Sequence, residues 1–295
     1  MLIPRKILNG KDIMKKIEYS NIKTEGERIN YLLDKMTLFD DDLMSRVFDK
    51  NIQATQLILR IILQKDIKVI SAKGQEEFKN PIVGGRNIRL DVHAIDENGH
   101  EIDIEVQCNS EGANVRRARF HSSVTDSRML KEKQKFKELK DSYVIFIYKH
   151  DKFRKGLPVY HVDRYIGETG QLFGDGSHII YVNGSYKGND DIGRLMNDFN
   201  QPDSENIYYR ELAEGVRHYK ETEGGRIEMC DLVKEYAEEK AAEAEKRGIL
   251  RMIFTYVQEG ILSEEKGAKD ADMSQSEFIK AMTAAGYKLP ESTKK

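Results

Sequence analysis

Residues 87–107 decide the fold: Asn87-Ile-Arg-Leu-Asp-Val-His-Ala-Ile-Asp-Glu-Asn-Gly-His-Glu-Ile-Asp-Ile-Glu-Val-Gln107. Ile88, Leu90, Val92 and Ala94 alternate with Arg89, Asp91 and His93, and Ile102, Ile104 and Val106 alternate with Asp103, Glu105 and Gln107. A period of two is that of strands with one dry side, so the stretch reads as a β-hairpin turning at Glu97-Asn98-Gly99. A two-residue Asn-Gly turn would set Asp91 against Val106 and push polar side chains into the core, which the pattern forbids. A three-residue loop with Gly99 in the left-handed conformation instead pairs Asp91 with Glu105, His93 with Asp103 and Arg89 with Gln107. All the polar residues then share one face.

Two carboxylates facing each other across a ladder, with Cβ atoms roughly 5 Å apart, repel unless something cationic lies between them. A divalent ion is the simplest candidate, and hard oxygen ligands on adjacent strands suit Mg²⁺ or Mn²⁺. The competing reading is the wet face of an antiparallel hairpin, where acidic residues are common.

Asp91, thirteen intervening residues and then Glu105-Val106-Gln107 resemble the PD-(D/E)XK nuclease motif in a form with Gln in place of Lys. The setting narrows the likeness. Arg-Leu-Asp-Val-His-Ala, the Asn-Gly loop, Arg117-Ala-Arg-Phe-His-Ser and Leu139-Lys-Asp-Ser-Tyr-Val-Ile-Phe-Ile follow in order. Together they are similar to the PD-(D/E)XK nuclease family transposases, relatives of the recombination-promoting nucleases (Rpn), over roughly residues 38–186. Leu90 stands where the motif's name has Pro, and Gln107 where it has Lys.

The resemblance implies an α/β fold: a restriction-endonuclease-like core, a mixed β-sheet flanked by helices, here with a C-terminal helical extension. It implies metal-dependent hydrolysis of phosphodiester bonds, with DNA as the expected substrate, of the kind associated with mobile elements or recombination. Asp91, Glu105 and Gln107 are then the catalytic residues. Asp91, Glu105 and the backbone carbonyl of Val106 would hold Mg²⁺ or Mn²⁺. A helix before the sheet offers a further acid in the family, here Asp41 or Asp42, for which helix capping is the competing role. Arg89, Arg116, Arg117 and Arg119 are the expected phosphate contacts. The alternative is a nuclease-like scaffold that binds nucleic acid or a protein partner without cutting.

Bulk properties set bounds on these readings. The 295 residues suffice for one sizeable core plus an appendage, or for two modest domains. A net charge of −2 excludes a globally electrostatic nucleic-acid binder, so such binding needs a local patch. Residues 112–140 provide one, with nine Lys or Arg against three Asp or Glu; the plain reading is a solvated helix face. Cys108 and Cys230 give neither a disulfide framework nor metal-ligand spacing. No apolar run approaches signal-peptide length or the ~20 residues that span a bilayer. A cytoplasmic protein without membrane contact is expected.

The chain divides into an N-terminal arm (1–36), a nuclease-like domain (37–187) and an acidic helical C-terminal region (188–295). In the arm, 13–19 and 26–33 could form short helices. The capping-box shape of Thr37-Leu-Phe-Asp40 and the spacing of Met44, Val47, Phe48, Leu57, Ile58, Ile61 and Ile62 predict one long buried helix to about residue 64. Residues 67–72 read as a short strand, 81–85 as a turn, and 112–133 as a helix. In that helix Val115, Ala118, Ser122, Thr125 and Met129 face inward, with Arg116, Arg117, Arg119, His121 and Arg128 on the other faces. The apolar run 142–148 reads as a strand buried on both faces, and 157–165 and 178–182 as further strands. Helices are expected over 190–199, 204–219 and 231–258. Between 201 and 245, thirteen acids against six bases make a poor nucleic-acid surface. A final helix pair, its second member capped by Ser274-Gln-Ser-Glu277, suits interaction or homo-oligomer formation better than DNA reading.

Overall fold

The computed structural model describes residues 24–80 and 84–289. The elements before and within the sheet region are α1 (Glu25–Lys35), α2 (Asp41–Phe48), α3 (Ile52–Leu63), β1 (Val69–Phe78), β2 (Ile88–Asp96), β3 (Glu101–Gln107), α4 (Val115–Met129), β4 (Ser142–Tyr148), β5 (Val159–Val162) and β6 (Ser177–Asn183). After them come α5 (Asp191–Phe199), α6 (Arg210–Glu221), α7 (Glu223–Gln258), α8 (Glu264–Asp270) and α9 (Gln275–Ala284). The predicted helix over 13–19, residues 81–83 of the predicted turn and the end of the tail lie outside the described residues.

Six strands form one mixed sheet in the order β1-β2-β3-β4-β6-β5. The β1–β2, β2–β3 and β5–β6 pairs are antiparallel, whereas β3–β4 and β4–β6 are parallel. Helices flank it: α2 and α3 lie against β1 and α4 lies against β4 and β6. This is the mixed α/β layer expected from the sequence.

The hairpin takes the predicted register. Gly99 has φ +80°, the left-handed conformation the three-residue loop demands. The Asp96 carboxylate accepts from the Asn98 and His100 amides at 2.9 Å each, tying the turn together. His93 pairs with Asp103, and Val92 with Ile104. The ladder then opens. Asp96 N–H donates to the His100 carbonyl at 3.2 Å, so bonded pairs recur at 94/102 and 92/104 and the next would be 90/106. Instead, the Val106 N–H donates to the Asp91 carboxylate at 2.9 Å. A side chain has replaced a backbone carbonyl, and the two strands part at Asp91.

The predicted long helix is two helices. Lys50 adopts φ +56°, the Asn51 side chain caps α3 by accepting from the Ala54 amide at 3.1 Å, and the Lys50 N–H donates to the Ala72 carbonyl at 3.1 Å. Apolar spacing continues through the break, so periodicity alone hides it. β1 runs six residues beyond the predicted strand because Lys73-Gly-Gln-Glu76 reads as a polar loop; it is an outer strand whose polar residues face solvent. The helix predicted at 112–133 contracts to α4 behind an Asn114 cap, and Val115, expected inside, is 54% exposed while His121 is buried. β4 matches its prediction and is buried throughout. β5 is shorter than expected, with Pro158 just before it accepting from the Asn183 amide at 2.9 Å.

The described residues form two compact units, one ending at Asp231 and one beginning at Leu232. In the second, Ile253, Phe254, Val257, Ala268, Phe278 and Met282 close a small core of their own. The Ser274–Glu277 capping box starts α9 as expected.

Helix α2 is seated on β1 at Gly74, where an added Cβ would stand 2.3 Å from the Ser45 carbonyl oxygen. Backbone cannot yield as a flexible side chain does. Gly74→Ala is therefore expected to cost about 1–3 kcal/mol and, at roughly 2–4 °C per kcal/mol, to lower Tm by several degrees. An unchanged melting curve would show that the contact does not set the helix position.

Candidate active site

The parting of β2 and β3 creates the site. Asp91 sits at the fork, its carboxylate accepting from Val106 N–H while its own N–H donates to Glu105 Oε1 at 3.2 Å. In a strand the N–H and C=O of one residue share a side, so the Val106 carbonyl also points toward β2. Glu105 is fully buried, and its second oxygen is ion-paired with Arg117 and lies 3.5 Å from the Gln107 amide nitrogen. Gln107 needs a glycine beside it: a Cβ on Gly112 would stand 1.7 Å from its Oε1. Asp91, Glu105 and Gln107 thus come together at one end of the hairpin.

Helix α4 roofs the polar face. Asp103, two residues before Glu105, is fully buried, and His121 lies above it with Nδ1 at 2.8 Å from Asp103 Oδ2. Arg117 donates from Nε to His121 Nε2 at 3.2 Å. A guanidinium only donates, so His121 Nε2 is the unprotonated nitrogen and Nδ1 carries the proton toward Asp103. Among the described residues, Asp103 Oδ1 has no hydrogen-bond partner. One ligand atom from each of Asp103, Glu105 and His121 falls within 4.8 Å of the others.

Against the three carboxylates of Asp91, Asp103 and Glu105 stand Arg117, paired with Glu105, and Arg89, which also acts on Asp91. Burial pushes Asp91 up to about 6, with the Asp41 carboxylate adding to the rise. Burial and then Asp91 push Asp103 up to about 8. Glu105 is raised well above its ordinary value by burial and by Asp103 and Asp91. Burial lowers His121, which is consistent with its neutral form. The cluster holds either protons or a cation. Its donor set of hard oxygens, with one buried oxygen lacking a partner, fits a divalent metal ion.

Outside the cluster, a cleft of about 750 Å³ is lined by Asp41, Asp91 and Gln107 together with Arg86, Arg89, Arg116 and Arg117. Asp41 lies at this mouth, whereas Asp42 contacts Gln75 at 3.4 Å and is not part of the lining. Arg119 is exposed on α4 and does not line the cleft. Arg89 and Gln107 share the cleft although the strands have parted between them.

Two members of the cluster escaped the sequence reading. The motif omits Asp103, and the sequence puts His121 on an outer face of α4. Both signals were present: Asp103 shares strand parity with Glu105, and His121 follows Arg117 by four residues on the side of Ala118. His93 is 7% exposed and sits between Glu76 and Glu101, with its ring nitrogens 2.6 and 3.0 Å from their carboxylates. Burial opposes its charge, but the two carboxylates outweigh this and raise it.

Residues 45–185 match the sequence model of the PD-(D/E)XK nuclease family transposase. This is the family the hairpin motif resembles, and the mixed sheet with flanking helices is its restriction-endonuclease-like α/β fold. The match covers just under half of the chain. No curated protein and no solved structure matches the chain. Among the described residues no helix is long and apolar enough to cross a membrane.

The raised carboxylates make stability pH-dependent. An acid whose value is raised by folding binds more protons in the native state, so its stabilising effect is complete below the unfolded value and is lost as pH rises through the folded one. With Asp91 near 6 and Asp103 near 8, metal-free protein in chelator is expected to lose Tm between pH 5 and pH 8. His93, raised for the opposite chemical reason, loses its contribution in the same direction. Asp103→Asn should flatten this slope and melt above the parent at pH 8. A variant slope as steep as the parent's would show that Asp103 is not the group titrating.

Proposed function

We propose that this chain is a metal-dependent nuclease that hydrolyses phosphodiester bonds in DNA, with Mg²⁺ or Mn²⁺ as its cofactor. The observation carrying this reading is the Asp91–Asp103–Glu105 cluster, in which Asp103 and Glu105 are fully buried and Asp91 faces an arginine-rimmed cleft. The matched family generally uses divalent metal ions.

Asp91, Glu105 and the Val106 carbonyl are the residues that would hold the ion, with Asp103 behind them and Asp41 at the mouth. A bound divalent ion supplies a more acidic water and charge compensation at the phosphate. Gln107 accepts from and donates to the attacking water; as a neutral amide it orients without adding charge. Arg117, paired with Glu105 and exposed to the cleft, together with Arg89 and Arg116, binds phosphate oxygens and stabilises charge developing on them. His121 orients Asp103 through its Nδ1–H. DNA approaches from the side of the cleft that Arg86, Arg89, Arg116 and Arg117 line.

Supercoiled plasmid incubated with the purified chain and Mg²⁺ or Mn²⁺ tests the reading. Nicking is expected, abolished by chelator and reduced to the blank by Asp91→Asn or Glu105→Gln. Plasmid binding with no cleavage in either metal would overturn it in favour of a nuclease-like scaffold.

Gly112→Ala offers a finer test, because it displaces Gln107 and leaves every acid in place. A misplacement of about 1 Å near reacting atoms costs on the order of 10²-fold in rate. The variant should therefore cut on that order more slowly while retaining plasmid affinity; parental rates would remove Gln107 from the chemistry.

A further inference from the structure

We propose that a second cleft, at the carboxyl ends of β4 and β6, binds a single-stranded nucleic-acid segment leading out of the active site. This rests on the nuclease reading above. The cleft, about 710 Å³, is lined by thirteen residues, none of them Asp or Glu. Fifty of the chain's 295 residues are acidic. Four lining residues are basic: Lys149, His150, Lys187 and Arg194.

Its place in the fold ties it to the active site. β3, β4 and β6 are parallel and adjacent, and Gln107, Tyr148 and Asn183 stand in one register at their ends. Lys149 N–H donates to the Gln107 carbonyl at 2.9 Å, and Gly184 N–H to the Tyr148 carbonyl at 2.7 Å. With strands about 4.8 Å apart, the second cleft begins roughly 10 Å from Gln107, within reach of the next nucleotides of a strand held at Asp91. Ligands of parallel sheets commonly sit beyond the carboxyl ends of the strands.

The chemistry of the lining selects the ligand. The Lys149 ammonium lies 5.5 Å from the centre of the Phe39 ring and, like Lys187, has no carboxylate partner among the described residues, so a phosphate would be the first anion either meets. Tyr208 is 64% exposed, and its ring lies 5.4 Å from the Arg194 guanidinium carbon, which Asp191 fixes at 3.0 Å. Tyr186 is held by its hydroxyl to Asp190 at 2.7 Å. Cations beside braced aromatic rings are what stacked bases and a phosphate backbone require, and a duplex hides its base faces. A single strand is therefore the occupant.

Fluorescence anisotropy of the full chain with a labelled 12-nucleotide single strand in Ca²⁺ tests this across a KCl series. The Lys149→Gln, Lys187→Gln double variant should bind at least tenfold more weakly at 100 mM salt. Two lost phosphate contacts should also lower the salt slope by about 1.4, at roughly 0.7 per contact for single strands. Tyr208→Ala should lose about fivefold or more in affinity, as one lost base stack requires. Lys280→Gln, on α9, should bind as the parent does. Superimposable titrations of the parent and both cleft variants, with unchanged melting, would overturn the inference, as would failure of the parent to bind the strand. Cleavage is read separately in Mg²⁺ and Mn²⁺. A chain whose binding depends on the cleft but which never cuts loses the nuclease reading and keeps this one.

Discussion

Three carboxylates gathered between two strands and one helix, Asp103 and Glu105 fully buried and Arg117 paired with Glu105, are the constraint on which the rest depends. Removing one ion from water costs several kcal/mol even after relaxation, and like charges close together add to it. Arg117 answers only part of that. Asp91, Asp103 and Glu105 are pushed upward together because burial acts on all three and each repels the next. A surface hairpin with the same residues would have water around each carboxylate and no such conflict. The wet-face reading of the sequence therefore fails on one observation: α4 covers the face, and Asp103 and Glu105 have no exposure.

The fold supplies the enclosure through a short sequence of dependences. Gly99 fixes the loop, the loop fixes the register, and the register puts Asp103 and Glu105 on the face beneath α4. The register would bring Leu90 to Val106 as well, but the Asp91 carboxylate takes the Val106 N–H first. The strands part where the acids are, and the gap opens toward solvent. On the outer side, the close seat of α2 at Gly74 brings Asp41 to the rim. β4, buried along its whole length, anchors the parallel half of the sheet and lets α4 lie across it.

The sequence was informative where a pattern had only one physical solution. Alternation in 87–107 tolerated only one loop length, so the register could be derived before any coordinates. The nearly continuous apolar run 142–148 is what a strand covered on both faces requires. It was uninformative where the same pattern serves two structures. Helical spacing from Met44 to Ile62 does not reveal a left-handed Lys50, because a break that preserves apolar phase leaves no trace in periodicity. Charged residues in 73–77 look the same in a loop and in an outer strand. His121 was assigned outward because histidine is polar, although its partner Asp103 lies on a distant element. A buried ion-rich cluster is a tertiary fact, visible only once β3 and α4 are superposed.

Gln107 gives the cluster its particular character. A lysine there would place an ammonium beside Glu105 and relieve the carboxylates from within their own strand. The amide brings no charge, and its 3.5 Å approach to Glu105 is at the outer limit of a hydrogen bond. Positive charge must then come from elsewhere, and the nearest is Arg117, reaching down from α4 to Glu105. The same arginine fixes the His121 tautomer and so directs a proton at Asp103. Substitution at one strand position thus shifts the electrostatic burden from the sheet to the helix. Arg117 and His121, rather than a residue on β3, become the groups that hold the acidic pocket together.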